Sequence, residues 1–352
     1  MKKSATAPLV KVSQQRIAKE LGLSQALVSM VLNGRRDGIS EASYRSIWET
    51  AISMGYQPKG MRATISGDGS KPMHVGFILR SGLTLHTQSN YFTHIQHGLH
   101  EALQARGMST VFLGAEGSLD DAVFRTTLEM RKTLFGVVIL GEVSLPFLKT
   151  IKKICPRVVS VSMTYPGECH SVQSNEKQSL DFLVEHLVSL GHRSFAWIGG
   201  NRALARHADR YNAFKAALKT RGISFDESWA LVADAADRVE GLKAAEQLLA
   251  HLGPRPTAAV CYNALMARGA INYLQSQGLR IPADLSIVSI DATRICTEEH
   301  PMITGASADP EAMGRKTAEL LLGTSGEEDE VYLDAVLPSR LSVRETTAPL
   351  AQ

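Results

Sequence analysis

Gln25, Ala26, Ser29, Met30 and Asn33 are the first residues of this chain whose types and spacing suggest chemistry. At helical spacing they share one face, and Leu27, Val28, Val31 and Leu32 fall on the other. The face carries two side-chain amides, a hydroxyl and two small apolar tips, with no charge. A side-chain amide pairs bidentately with adenine, and apolar groups touch the thymine methyl. Such a set suits the reading of base edges in a duplex, at positions richer in A·T.

The elements that must hold this face are short. Ser13 caps a helix whose apolar residues are Ile17, Ala18 and Leu21, Gly22 stops it, and Ser24 caps the next. A third segment from Ser40 to Met54 offers Tyr44, Ile47, Trp48, Ala51 and Ile52 to the same core. Three short helices with an outward second one make a helix-turn-helix arrangement; an αα-hairpin packed on the rest of the chain has the same pattern. Charge favours the first. Residues 1–66 hold ten Lys/Arg against four Asp/Glu, a net of +6, while the remainder holds 28 against 31. Lys11, Arg16, Lys19, Arg35 and Arg36 surround the hairpin, the footprint expected of a polyanion partner. The stretch that follows, "GYQPKGMRATISGDGSKP", reads as a linker with one or two turns of conditional helix.

From Met73 on, short apolar runs alternate with helical patterns. "HVGFIL", "STVFLG", "FGVVIL", "RVVSVS", "SFAWIGG", "AAVCY" and "LSIVSID" read as buried strands. Helices are expected over Tyr91–Arg106, Leu119–Lys132, Gln178–Leu190, Arg210–Arg221, Val239–His251 and Ala264–Gln277. This alternation implies parallel sheets covered on both faces, and a dozen elements imply two similar α/β lobes. The four cysteines have no metal-ligand spacing and read as buried thiols of a reducing compartment. His94, His97 and His100, with His86, suggest a metal. However, the apolar face of their helix is Ile95, Leu99, Ala102 and Leu103, and no further ligand completes a set. Neither phosphate-loop nor nucleophile-elbow spacing is present. No apolar run reaches the length of a membrane span, and Ser4–Lys11 lacks the apolar stretch of a secretory signal. The acidic run Glu327–Glu330 reads as an exposed loop before a strand from Val331.

Taken together, "IA", "LGLS" and "LVSMVLN" (17–18, 21–24 and 27–33) resemble the headpiece of the lactose-repressor (LacI/GalR) family of bacterial regulators. "GHRSFAWIGG", "GLRIPADLSIVSID", "MGRKTAELLL" and "LPSRLSVRETT" keep that family's order over nearly the whole chain. The resemblance implies a DNA-binding surface of Ser13, Gln14, Ser24, Gln25, Ala26, Ser29, Met30, Asn33, Arg35, Arg36 and Tyr56. Ile65 stands where the family has a hinge leucine that wedges into the minor groove. Met30 departs from the recognition-helix arginine of many members. In the body, the resemblance assigns effector binding to Tyr91, Phe92, Arg210, Asn263 and Asp291, with the two rings at the cleft rim. A guanidinium, an amide and a carboxylate suit a hydroxyl-rich ligand. Ala233-Asp234-Ala235 lacks the aromatic residue of many members, so that a stacking wall is either missing or supplied by another residue such as Tyr262, and Ala264 replaces a usual aspartate.

The expectation is therefore an all-α helix-turn-helix headpiece (1–57), a hinge helix and linker (58–72), and a periplasmic-binding-protein-like body (73–352). That body would have two doubly wound parallel-sheet lobes, the first about 73–172 and 300–326, the second about 173–299 and 327–346. The function expected is a cytoplasmic repressor without cofactor or metal. As a homodimer or tetramer it would bind a near-palindromic operator under control of a carbohydrate-like effector. Rivals are a phosphoprotein or nucleoside effector, a solute-binding protein without a DNA role, and an α/β enzyme.

Overall fold

In the computed structural model the described residues are 13–32, 38–54, 73–80, 90–116, 127, 129–327 and 331–350. They fall into two units, Met1–Ser70 and Lys71–Gln352.

The first unit holds α1 (Gln14–Leu21), α2 (Gln25–Leu32) and α3 (Glu41–Ser53). The Ser13 hydroxyl accepts from the Arg16 N–H, and Gly22, at φ 63°, ends α1 in the left-handed conformation that glycine adopts without strain. Ser24 caps α2 by accepting from the Leu27 N–H at 3.2 Å. Ile17, Ala18, Val28, Val31, Leu32, Ile47 and Ala51 form one small core. Leu27, expected inside, is only half-buried at its edge.

The second unit has two six-stranded sheets. The first contains β1 (His74–Leu79), β2 (Ser109–Ala115), β3 (Leu134–Leu140), β4 (Val158–Val161), β5 (His170–Ser174) and, late in the chain, Asp334–Leu337. Its spatial order is Asp334–Leu337, β5, β4, β3, β1, β2, with every pairing parallel. Helices α4 (Asn90–Gln104) and α5 (Leu145–Ile154) belong to this half. In the second half, α6 (Glu176–Ser189) leads to β6 (Phe195–Gly199), α7 (Ala205–Thr220), β7 (Ala230–Val232), α8 (Arg238–Ala250), β8 (Ala258–Cys261), α9 (Ala264–Ser276), β9 (Ser286–Ser289) and β10 (Thr304–Ser307). Next, α10 (Pro310–Gly323) packs back on α4, and β11 (Asp334–Leu337) precedes β12 (Arg340–Ser342). The second sheet runs β12-β10-β9-β8-β6-β7, parallel except for β12 against β10. Continuous apolar strands therefore lie inside, as parallel sheets covered on both faces require.

The chain passes between lobes after β5, between β10 and α10, and between β11 and β12. The expected lobe boundaries need correction here. Residues 304–307 pair with β9 and stay in the second lobe, while 334–337 pair with β5 and belong to the first. The crossings near 308 and 338 replace those drawn near 300 and 327. The last strand of the first lobe also starts at Asp334 rather than at Val331. The expected helices keep their places, α7 starting five residues earlier than Arg210. The helix expected over Leu119–Lys132 lies largely outside the described residues, as do the hinge helix and linker of 58–72.

Two helix crossings are unusually close. A Cβ on Gly98 of α4 would overlap the Glu311 carbonyl, and one on Gly314 of α10 would overlap that of Ile95. In the second lobe Gly241 of α8 and Gly269 of α9 meet the backbone of each other's helix in the same way.

Candidate functional site

Helix α2 presents Gln25, Ala26 and Met30 to solvent, with Ser29 half-buried. Met30 is 40% exposed, high for a side chain of its size, while Val28, Val31 and Leu32 on the other side are buried. Gln14 opens α1 half-buried; Ser13 and Ser24, both exposed, spend their hydroxyls on helix caps. Asn33, Arg35, Arg36, Tyr56 and Ile65 lie outside the described residues.

In the body, residues just past the carboxyl ends of β1, β3, β4, β6, β8 and β9 surround a cavity of about 330 Å³. Tyr91, Phe92, Arg210, Asn263 and Asp291 all line it. Arg80, Glu142, Ser162, Asn201, Arg206 and Asp237 line it too, and none of these was expected. Most carry a legible signal, since open α/β sheets bind ligands beyond the carboxyl ends of their strands. Arg80, Glu142, Ser162 and Asn201 each follow such an end within two residues.

Arg210, only 5% exposed, does not point freely into this space. Its Nε and Nη2 donate to Glu176 Oε2 and Oε1 at 2.9 and 2.6 Å, and its Nη1 to the Tyr262 carbonyl at 2.5 Å. Arg206 donates to the same Glu176 from one helical turn away. The partner of both arginines is thus a single shared carboxylate at the start of α6. Burial alone would raise the Glu176 pKa, but the two guanidinium groups outweigh it and bring the carboxyl down to about 2. The guanidinium carbons of Arg206 and Arg210 lie 5.5 and 4.5 Å from the ring centres of Tyr91 and Tyr262. Each of these rings therefore already has one of the chain's own cations on it, and Tyr262 does not simply replace the missing aromatic wall.

Asn263 caps α9, its Oδ1 accepting from the Met266 N–H and its Nδ2 donating to the Ala236 carbonyl, both at 2.8 Å. Asp291 accepts from the Ala264 N–H and the Thr293 hydroxyl, each at 3.2 Å. Burial pushes its carboxyl above the usual range, against the pull of Ala264, Arg210 and Thr293. Both side chains keep a lone pair for a ligand, since a carbonyl or carboxylate oxygen accepts more than one bond. Ser162 adds a further hint. It sits at φ 69°, and its hydroxyl oxygen is buried with no partner among the described residues. Strained backbone gathers at binding sites, and Asn201, the other non-glycine with positive φ among the described residues, lines the same cavity.

His94 faces α10, its Nδ1 3.3 Å from Glu311 Oε1, while His97 and His100 are exposed. Among the described residues no group of three or more His, Cys, Asp or Glu is placed to hold a metal ion. The four cysteines are buried and free. No helix of the described residues is long and apolar enough to cross a membrane.

A periplasmic binding protein-like domain is matched over residues 184–347. The maltose regulon regulatory protein MalI of Escherichia coli K12 is 26% identical over 346 residues, 94% of this chain and 97% of MalI. The HTH-type transcriptional repressor PurR of Aliivibrio fischeri MJ11 is 24% identical over 311 residues, 87% of this chain and 89% of PurR. The lac repressor dimer bound to operator and the anti-inducer ONPF superposes with a TM-score of 0.66 at 20% identity, over 96% of this chain and 99% of that one. Over nearly its whole length the chain is similar to transcriptional regulators of the LacI/GalR family. The two surfaces described above are the exposed, uncharged face of α2 and the cavity past the strand ends of the two lobes.

Proposed function

We propose that the chain is a cytoplasmic repressor, binding a near-palindromic operator as a homodimer and releasing or tightening it in response to a carbohydrate-like effector. The observation that carries the DNA half is the α2 face: a helix capped at Ser24, with its apolar stripe buried and an uncharged polar face left in solvent. A helix of this kind enters the major groove, and two-fold protein symmetry asks for two half-sites. The basic excess of residues 1–66 supplies phosphate contacts.

The effector half rests on the cavity between the strand ends, where Asp291, Asn263 and the Ser162 hydroxyl offer polar atoms beside Tyr91 and Phe92. Polar groups of this type take up hydroxyls in pairs, and rings cover the apolar face of a sugar. A ligand that prefers one arrangement of the lobes shifts the population toward it and couples to DNA affinity, commonly by about 1–3 kcal/mol. No reaction is assigned to the site; it binds.

Two measurements test the reading. Selection from random duplexes should recover a two-fold-symmetric site with A·T-rich half-site positions. Equal retention of scrambled DNA at moderate salt would end the DNA assignment. A thermal-shift screen of free sugars should return a ligand that raises the melting temperature and changes operator affinity. Asp291→Asn should abolish both effects.

A further inference from the structure

Helix α7 begins without a cap of its own. Ser13, Ser144, Asn175, Asp237, Asn263 and Asp309 each accept a backbone N–H at the start of α1, α5, α6, α8, α9 and α10. At the corresponding place before α7 stands Leu204, which has no side-chain oxygen to offer. The bond arrives from elsewhere. Glu142 Oε2 accepts the Ala205 N–H at 3.1 Å, from a residue 63 positions earlier in the chain. Glu142 follows β3 in the first lobe, and α7 belongs to the second, so this carboxylate reaches across the cavity.

The surroundings of that carboxylate are those of an anion seat. The start of a 16-residue helix carries positive partial charge. Arg80 and Arg206 line the same cavity, and Arg80 interacts electrostatically with both Glu142 and Arg206. Arg80 also reaches across the lobes, donating to Asn201 Oδ1 at 3.3 Å. The chain fills the seat itself. Its charge balance agrees: Arg80, Arg206 and Arg210 line the cavity together with the carboxylates of Glu142, Asp234, Asp237 and Asp291, and Glu176 pairs with both Arg206 and Arg210.

We propose that Glu142 is a specificity-determining residue, which holds the anion seat at the start of α7 with the protein's own carboxylate. The cavity then accepts an uncharged or amine-bearing polyol and refuses phosphorylated or carboxylated ones. This rests on the reading of the cavity as the effector site, but the test does not depend on which polyol binds. Inorganic phosphate is the probe, titrated at low millimolar concentration against chloride of matched ionic strength, with the full chain followed by thermal unfolding. The parent protein should show no saturable stabilisation. Glu142→Ala should show one, with a midpoint at least ten-fold lower than any phosphate effect on the parent, and adding Arg80→Ala should remove it. Glu142→Gln keeps a capping oxygen and removes the charge, so it should gain phosphate affinity in the same direction even if the alanine variant folds poorly. Saturable stabilisation of the parent by phosphate would overturn the exclusion while leaving an effector site in place. Absence of any gain in both Glu142 variants would overturn the anion seat. Failure of the effector reading shows separately, as a sugar response that Asp291→Asn does not touch.

Discussion

Glu176 illustrates how one carboxylate sets the character of the site. With Arg206 and Arg210 both bonded to it, neither guanidinium is an unpaired buried charge. Removing one partner of a buried ion pair commonly costs about 3–5 kcal/mol, because the remaining charge loses its compensation. Glu176→Gln should therefore lower the unfolding free energy in urea by roughly that amount. The same group has a pH signature. Its carboxyl is held at about 2 in the folded protein against an ordinary 4.5, so its contribution is complete above about 4.5 and is lost as pH falls toward 2. Acid unfolding of Glu176→Gln should lack that part of the slope, and an unchanged acid profile would contradict the assignment. Asp291 has the opposite sign, since burial raises its carboxyl and the protonated form is the better tolerated one at low pH. Asp291→Asn should accordingly move stability by no more than about 1 kcal/mol while removing the effector response. Arg210, Asn263 and Asp291 were legible because strand ends and family order mark them. Glu176 and Arg206 were not: a carboxylate 34 residues from Arg210 becomes its partner only when α6 and α7 pack together.

At the scale of elements, the crossing of α4 and α10 makes the sharpest demand on sequence. Alanine is favoured over glycine inside a helix by about 1 kcal/mol, so Gly98→Ala would stabilise a free-standing α4. Here the added methyl group meets the Glu311 carbonyl, and Gly314 has the same relation to Ile95. Overpacking of this kind costs about 1–3 kcal/mol, so the net effect of Gly98→Ala should be destabilising in urea unfolding. Gly323, exposed at the end of α10 with open space around it, is the control and should tolerate alanine. A Gly98→Ala protein as stable as the control would show that the helices can separate without cost. Such crossings are invisible to periodicity, which reports a helix and its buried side but not what lies against it. The strands divide in the same way. "HVGFIL" and "FGVVIL" announce themselves by composition, whereas "HSVQS" in β5 and "TGAS" in β10 hold few branched apolar residues. They are strands because the neighbouring strands of each sheet supply their hydrogen bonds, and β10 is buried throughout although half its residues are hydroxyl-bearing. The lobe boundaries were misplaced for that reason.

At the scale of the whole molecule, charge and recognition are separated. The first 66 residues carry the positive excess, the body is mildly acidic, and the α2 face between them in role is neutral. Affinity for any duplex should then come from the basic residues and fall steeply with salt, while sequence preference should come from Gln25, Ala26 and Met30 and depend on salt very little. Met30→Arg separates the two contributions. Met30 is 40% exposed and outside the small core, so the exchange should leave the melting temperature of the protein nearly unchanged. If the side chain lies against base edges, the new guanidinium should bring a guanine into the selected half-site, with about 1–3 kcal/mol of discrimination at that one position. If instead it lies over the backbone, selection should return the parent half-site, and the slope of log affinity against log salt should steepen by about one phosphate contact. If α2 is merely a solvated surface, neither the recovered sequence nor the salt slope should change. The third outcome would remove the DNA-reading role from this helix, because an added arginine on a face held against DNA cannot leave both quantities untouched.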